Sequence, residues 1–283
     1  MDSFNPNSTV IFDISLVVCQ RESADFAFQA TVELLTMIVG FPANVMVLWV
    51  LLCRKSAVSS AEIFLLNLAV MDALVCLSAP LGTLNSLLDD YSILRATQFQ
   101  YFITLAGNPM FLCCICVERY MAVLHPVHFM HMKSRSFRVE ICTLAWAFTI
   151  AIPVYEAAHQ FESYSHLLAV YTSVLLVVMV LCNVSILWSL MQSGPGRDEV
   201  HPVKKKAFQT VFTTFIISLL FYFLPAVYLL QRSIEFITLQ CYVMPVCSSI
   251  VIPLPLFYLY NMGRLPCVPF PCCAKPNPVL ELC

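Results

Sequence analysis

The sequence predicts an all-α membrane protein built as a bundle of seven transmembrane helices. Of its 283 residues, 60% are hydrophobic and only 11% are charged, whereas a soluble domain carries about 25% charged residues. The apolar residues also fall into runs of about 20, the length needed to cross a bilayer core about 30 Å thick. Seven such runs occur, at 29–53, 61–87, 98–122, 138–157, 167–192, 207–231 and 239–261.

The distribution of lysine and arginine among the loops predicts the orientation in the membrane. Cytoplasmic loops carry an excess of these residues, and an odd number of spans places the termini on opposite sides. One set of loops holds 12 of the 15 basic residues and the other holds 3. We therefore expect the N-terminus outside and the C-terminus in the cytoplasm. The 12 are Arg54, Lys55, Arg119, Lys133, Arg135, Arg138, Arg197, Lys204, Lys205, Lys206, Arg264 and Lys275, and the 3 are Arg21, Arg95 and Arg232.

This orientation divides the chain into an extracellular N-terminal segment (1–28), a seven-helix domain (29–262) and a short cytoplasmic tail (263–283). The first residues are polar, so we expect no cleavable signal peptide. Asn7 begins the sequon Asn-Ser-Thr and is the expected glycosylation site on the outer side. Cys272 and Cys273 follow the last span closely, a position that favours palmitoylation.

Ionisable residues are few inside the predicted spans, and such residues are functional candidates by default. Asp72 lies in the middle of the second span, and Glu33 lies near the outer end of the first. At the cytoplasmic end of the third span Glu118, Arg119 and Tyr120 stand side by side. An arginine keeps its charge in a poor solvent and offers five N–H donors. The simpler alternative is that this pair only reaches to the lipid headgroups.

Six short motifs, each in a different span, together resemble those of the class A (rhodopsin-like) G-protein-coupled receptors. Glu118-Arg119-Tyr120, followed by Met-Ala-Val-Leu-His-Pro, is similar to the family's third-span box and the loop after it. Asp72, in Asn-Leu-Ala-Val-Met-Asp, stands at the family's second-span aspartate. The other four are Asn44 in the first span, Trp146 in the fourth, Phe221-Tyr222-Phe223-Leu224-Pro225 in the sixth and Pro255-Leu256-Phe257-Tyr258 in the seventh.

This resemblance implies a receptor that binds an extracellular ligand and activates a heterotrimeric G protein at the cytoplasmic face. In the family, the box arginine is held by its neighbouring acid at rest. It contacts the G protein after the sixth span moves outward. The residues implied for this coupling switch are Glu118, Arg119, Tyr120 and Tyr258. Those implied for a switch in the core are Asn44, Asp72, Asn108, Phe223, Pro225 and Pro255.

The resemblance also implies a ligand pocket between the outer halves of the helices. Amine receptors of the family carry an aspartate where this chain has Tyr101, so we expect no simple cationic amine. The expected lining is apolar and aromatic with few polar groups, as in most pockets. It favours a small hydrophobic or lipid-like molecule, an odorant-like molecule or a peptide. The implied lining residues are Glu33, Tyr101, Phe102, Leu105, Val227, Leu230, Met244 and Ser248.

Two departures from the family pattern bear on ions and disulfides. Leu254 stands at the seventh-span asparagine that helps to bind sodium in the family, so we expect any sodium site at Asp72 to be weak and expect no other cofactor or metal. The cysteines of the usual outer disulfide are missing. Some family members instead join the N-terminal segment to the start of the seventh span, and the matching pair here is Cys19 and Cys241.

Other classes fit the sequence less well. A transporter or channel would need several ionisable groups at mid-membrane or an internal repeat, and we expect no enzyme because no catalytic motif occurs. Residues 206–210 are similar to odorant receptors, but the second-span signature of those receptors is missing. The main alternative is a receptor-shaped protein that does not couple to G proteins, such as a scavenger or a partner subunit. We expect a multi-pass protein of the plasma membrane, with membrane lipid but no nucleic acid as a further partner.

Overall fold

The computed structural model describes residues 23–53, 60–88, 90–131, 134–158, 164–192, 212–213, 215–217, 219–223, 245–246 and 249–261. These residues are helices joined by short turns, without a strand among them. Five helices are long and apolar enough to cross a membrane, and they coincide with the first five predicted spans. They are Phe26–Leu52, Glu62–Leu88, Tyr91–Leu124, Ser136–Tyr155 and Val170–Ser189. A shorter apolar helix, Ser249–Tyr260, falls within the seventh predicted span.

The first span consists of α1 (Ser23–Leu35), a π-helical turn (Thr36–Gly40) and α2 (Phe41–Leu52). Pro42 lacks the N–H that would bond to Ile38 O in a regular helix, and the wider turn lies at this interruption. Gly40 allows the second span to come close, because a Cβ there would lie 2.8 Å from Cys76 Sγ.

The second span is also interrupted. It consists of α3 (Ser60–Ser78), a turn at Ala79 and Pro80, and α4 (Leu81–Leu88). Pro80 cannot donate to the helix before it, and the new helix begins with Leu84 N donating to Pro80 O at 2.9 Å. The break leaves the first N–H groups of α4 in need of acceptors from elsewhere.

The third span is the single helix α5 (Tyr91–Leu124), which lies at the centre of the described bundle and packs against the second, fourth and fifth spans. Asp90 caps it by accepting from Ser92 N at 2.7 Å. This cap moves the helix start outward from the predicted residue 98. After it come α6 (Pro126–His131), α7 (Arg135–Ala158), α8 (Tyr164–Gln192), a 3₁₀ turn (Ser249–Val251) and α9 (Pro253–Asn261).

The largest apolar core lies where the third span meets its neighbours. Phe111 and Trp146 pack edge to face there, with ring centroids 5.4 Å apart. Large apolar side chains such as Trp49 and Trp188 point away from the core and are mostly exposed. An apolar outer surface of this kind is expected for helices that face lipid.

Candidate functional site

Three of the four predicted coupling residues, Glu118, Arg119 and Tyr120, lie together at one end of the third span. Arg119 Nε is 3.6 Å from Glu118 Oε2, and the Arg119 side chain is 45% exposed whereas that of Glu118 is 10% exposed. The helix ends just beyond them, where His125 N donates to Met121 O at 3.0 Å. The arginine is therefore held by its neighbour and remains accessible from this end of the bundle.

Tyr120 joins the end of the third span to α6. Its hydroxyl lies 3.3 Å from His125 Nε2, and the two rings are 5.5 Å apart. The His125 ring stacks in turn on that of His128. His125 was not predicted as a contact of Tyr120, although its position five residues later in the chain was a signal for one.

A cavity of about 600 Å³, including its opening, lies beside Glu118. Its walls come from the second, third and fourth spans and from α6, so it borders the coupling residues on the side of the fourth span. Apart from Glu118 and Arg138, the wall is apolar or carries thiols, and its members are Phe64, Cys113, Cys114, Val117, Met121, Phe129, Phe137 and Ile141.

In the core, Asn44 joins the first span to the seventh through a hydrogen bond. Pro255 lacks the N–H that would bond to Val251 O in a regular helix. Asn44 Nδ2 donates to that oxygen at 3.0 Å and to Gly40 O at 2.9 Å. The buried asparagine therefore supplies the hydrogen bond that the proline removes. Tyr258, one turn further along α9, packs against the cluster that contains Val47 and Leu259.

Asp72 and Asn108 are buried neighbours in the core. The two side chains are close enough to interact, but among the described residues Asp72 Oδ1 and both polar atoms of Asn108 lack a hydrogen bond of regular geometry. Two such oxygens have the chemistry that hard cations bind. Leu254, at the position where the family has its asparagine, packs into the apolar core and offers no side-chain oxygen.

The residues of the predicted ligand pocket separate into two groups. Glu33 and Tyr101 share a small cavity with Thr36, Thr97 and Gln100. Phe102 and Leu105 instead pack in an apolar cluster that includes Ile152 of the fourth span and Leu168 of α8. Val227, Leu230, Met244 and Ser248 lie outside the described residues.

Glu33 is 7% exposed and accepts three hydrogen bonds. Its Oε1 accepts from Gln29 Nε2 at 2.8 Å, and its Oε2 accepts from Thr83 N and Thr83 Oγ1, both at 2.7 Å. Thr83 N is one of the free N–H groups at the start of α4, so the carboxylate of one span caps a helix of the next. Gly82 makes room for it, because a Cβ there would clash with Glu33 Oε1.

In the described part of the sixth span, Tyr222 is fully buried and Phe223 is 57% exposed. Pro225, the cysteine pair Cys19 and Cys241, Asn7, Cys272 and Cys273 lie outside the described residues.

Five neighbours of Glu33 were not predicted from the sequence: Thr36, Thr97, Gln100, Gln29 and Thr83. Two signals were present. Gln29 precedes Glu33 by four residues, which places both side chains on one helix face. Thr97, Gln100 and Tyr101 likewise recur at helical spacing within the third span.

Comparison with known proteins identifies the family of the chain. Residues 43–260 match the family described as 7 transmembrane receptor (rhodopsin family). The chain therefore belongs to this family, whose members are receptors rather than enzymes, and it is a multi-pass membrane protein. The resemblance drawn from the six motifs is confirmed.

Individual relatives match over parts of their length. A purinoceptor of Gallus gallus is 32% identical over 120 residues, which are 40% of this chain and 37% of that receptor. Hydroxycarboxylic acid receptor 2 of Homo sapiens is 26% identical over 222 residues, 68% of this chain and 59% of the relative. G-protein coupled receptor 35 of Homo sapiens is 26% identical over 198 residues, 64% and 63% of the two chains. Each match covers less than two thirds of the relative's length.

Proposed function

We propose that this protein is a G-protein-coupled receptor that binds an extracellular ligand in its outer helix cavity and activates a heterotrimeric G protein at its cytoplasmic face. The observation that carries this proposal is the Glu118–Arg119 pair at the end of the third span. Arg119 is held 3.6 Å from an acid and is still accessible. A guanidinium keeps its charge and its five donors in such a place, so it suits a contact with a partner protein.

The surroundings of this pair support the same role. Tyr120 connects the third span to α6 through His125, and the neighbouring cavity leaves space beside Glu118. A partner that docks at this end would meet the arginine, the α6 helix and the tyrosine together. Tyr258 belongs to the same proposed switch in the seventh span.

The proposal requires this end of the bundle to face the cytoplasm. That orientation follows from the 12 basic residues on this side against 3 on the other. It makes 1–28 the extracellular segment, 29–262 the receptor domain and 263–283 the tail, in a plasma-membrane protein. Glycosylation of Asn7, palmitoylation of Cys272 or Cys273 and a disulfide between Cys19 and Cys241 belong to the same proposal.

The ligand is proposed only by class. The names of the relatives refer to ligands as different as purines and hydroxycarboxylic acids, so they do not identify one ligand class for this chain. A small hydrophobic, lipid-like or odorant-like molecule and a peptide all fit the pocket residues of the sequence analysis. For sodium, the Asp72 and Asn108 oxygens fit a cation, but Leu254 removes a third ligand, so we expect weak binding.

The second candidate is a receptor-shaped protein that does not couple to G proteins. The observation in its favour is the altered seventh span, where Leu254 is buried in place of a polar residue.

One experiment separates the two candidates. G-protein activation is measured by subunit dissociation in cells that express the wild-type protein or Arg119→Ala, across the G-protein α classes, at equal surface expression. Arg95→Ala is the matched control, because Arg95 is an exposed arginine at the other end of the same helix. We expect basal activation that Arg119→Ala abolishes and Arg95→Ala preserves. Wild-type protein at the surface with no activation above that of Arg119→Ala would favour the non-coupling candidate.

A further inference from the structure

We propose that the cavity around Glu33 binds a compact monovalent cation, which is either a free alkali-metal ion or the ammonium group of a ligand. The cavity lies between the first, second, third and seventh spans, and its wall includes Glu33, Thr36, Thr97, Gln100, Tyr101 and Pro245. If the cation is the ammonium group of a ligand, this inference specifies the ligand of the proposed receptor and rests on that proposed function. If the cation is a free ion, it stands independently. It does not require G-protein coupling.

In the described part of the chain, the buried Glu33 carboxylate is hydrogen-bonded only by neutral groups. The partners of Glu33 are N–H and O–H donors from Gln29 and Thr83, which is the bonding pattern of an ionised carboxylate. Among the described residues, none of these partners is a lysine, arginine or histidine. A buried carboxylate is costly without a positive charge nearby. A cation in the adjoining cavity would supply that charge.

The wall of this cavity also offers oxygen atoms that can only accept. The Thr36 hydroxyl donates its hydrogen to Val32 O at 2.8 Å, and the Thr97 hydroxyl donates to Ile93 O at 2.9 Å. A hydroxyl has one hydrogen, so both oxygens remain only as acceptors. Gln100 Oε1 is buried and has no hydrogen-bond partner in the part of the chain that the structure describes.

Together with the Glu33 carboxylate, these groups place four acceptor oxygens or more on a wall that also includes the Tyr101 side chain. Oxygens of this kind bind hard cations, and an ammonium group offers three donors and no acceptor. An anion or an acceptor-rich group would be repelled. No simple cationic amine was expected because Tyr101 replaces the third-span acid, but Glu33 of the first span provides an acid here.

The cavity is also small. The cavity has a volume of about 10 Å³ for the centre of a water-sized sphere, which is near the smallest space that holds one water molecule. It therefore suits an ion or one small group. It is also separate from the Asp72 region, because Ala79 in its wall lies seven residues beyond Asp72, about 10 Å along a helix.

The test uses the purified full-length protein in detergent with the background substitution Asp72→Asn, which removes the other buried carboxylate. The melting temperature is followed as sodium chloride replaces N-methyl-D-glucamine chloride at constant ionic strength. A cation that binds the folded state raises the melting temperature with its concentration. We expect a saturable rise that Glu33→Gln abolishes. Glu140→Gln, the same change at an exposed site, should preserve it.

A second arm replaces sodium with methylammonium chloride and identifies the source of the cation. A rise that depends on Glu33 with sodium but not with methylammonium indicates a free ion, and the converse indicates the ammonium group of a ligand. Either result supports the proposal. The absence of a rise that depends on Glu33 with both cations would overturn it.

Should Glu33→Gln fail to fold, Thr97→Val and Gln100→Leu keep the charge and each remove one oxygen. We expect each to raise the half-saturating cation concentration several-fold, and an unchanged value in both would contradict the proposal. Because melting reports binding without a G protein, failure here is distinguishable from failure of coupling.

Discussion

Asn44 of the first span donates a hydrogen bond to Val251 O of the seventh span, 3.0 Å away and 207 residues further along the chain. The bond exists because Pro255 cannot provide the N–H that Val251 O would receive in an unbroken helix. One buried amide therefore compensates for a proline on another helix. The tie explains why an asparagine at this point of an apolar span is compatible with a stable bundle.

Asn44→Ala should destabilise the protein by about 1–3 kcal/mol, the cost of leaving a buried carbonyl without a partner. The measurement is the unfolding transition of the purified protein in detergent. Val45→Ala is the control, because its neighbouring side chain is 41% exposed on the outer surface. Equal stability of the two variants would show that the Val251 carbonyl finds another donor.

Gly82→Ala should destabilise the protein by about 1–3 kcal/mol, since the added methyl group meets Glu33 Oε1 and displaces the carboxylate from its hydrogen bonds to Thr83. A loss of stability would be informative, because helix propensity alone favours alanine over glycine by about 1 kcal/mol. Glu33→Asp shortens the opposing side chain and should recover part of the loss in the double variant. Additive effects of the two changes would argue against a direct clash. Thermal unfolding of all three variants provides the comparison.

The helical spans were predictable because their signal is local, whereas the breaks inside them depend on single residues. The second span was predicted as one run, 61–87, and Pro80 divides it into two helices. The third span begins at Tyr91 because Asp90 caps it. The sequence predicted a later start, at residue 98, because the residues before it are partly polar. The hydrogen bonds of the Asp90 cap allow the helix to begin earlier.

The charged residues of the candidate site could be predicted from the sequence. Glu33, Asp72 and Arg119 are conspicuous in an apolar chain. Which face of a helix meets which neighbour is set by packing, and for this reason Leu105 lies against the fourth and fifth spans. Thr36 and Thr97 were missed because threonines that bond within their own helix are common in apolar spans. Their shared cavity arises only when two spans come together.

Tyr171→Phe should reduce stability by about 0.5–1.5 kcal/mol, the net worth of a typical hydrogen bond. The Tyr171 hydroxyl of the fifth span donates to Ala106 O at 3.0 Å. That carbonyl lies in the turn of α5 that Pro109 disturbs, so the bond supports a weakened segment. Tyr260→Phe is the control, because Tyr260 is exposed. The same loss in both variants would mean that the Tyr171 hydroxyl contributes nothing specific. Chemical or thermal unfolding in detergent measures the difference.

Arg119→Ala should leave stability within about 0–1 kcal/mol of wild type, although we expect it to abolish G-protein activation. The reason is that the Arg119 side chain is 45% exposed and 3.6 Å from Glu118, and exposed ion pairs contribute little to folding. The melting temperature of purified Arg119→Ala, with Arg95→Ala alongside, measures this. A large drop confined to Arg119→Ala would show that the arginine holds the helix end in place, and lost activation would then reflect unfolding. Near-equal melting temperatures assign the lost activation to the contact that the arginine makes with its partner.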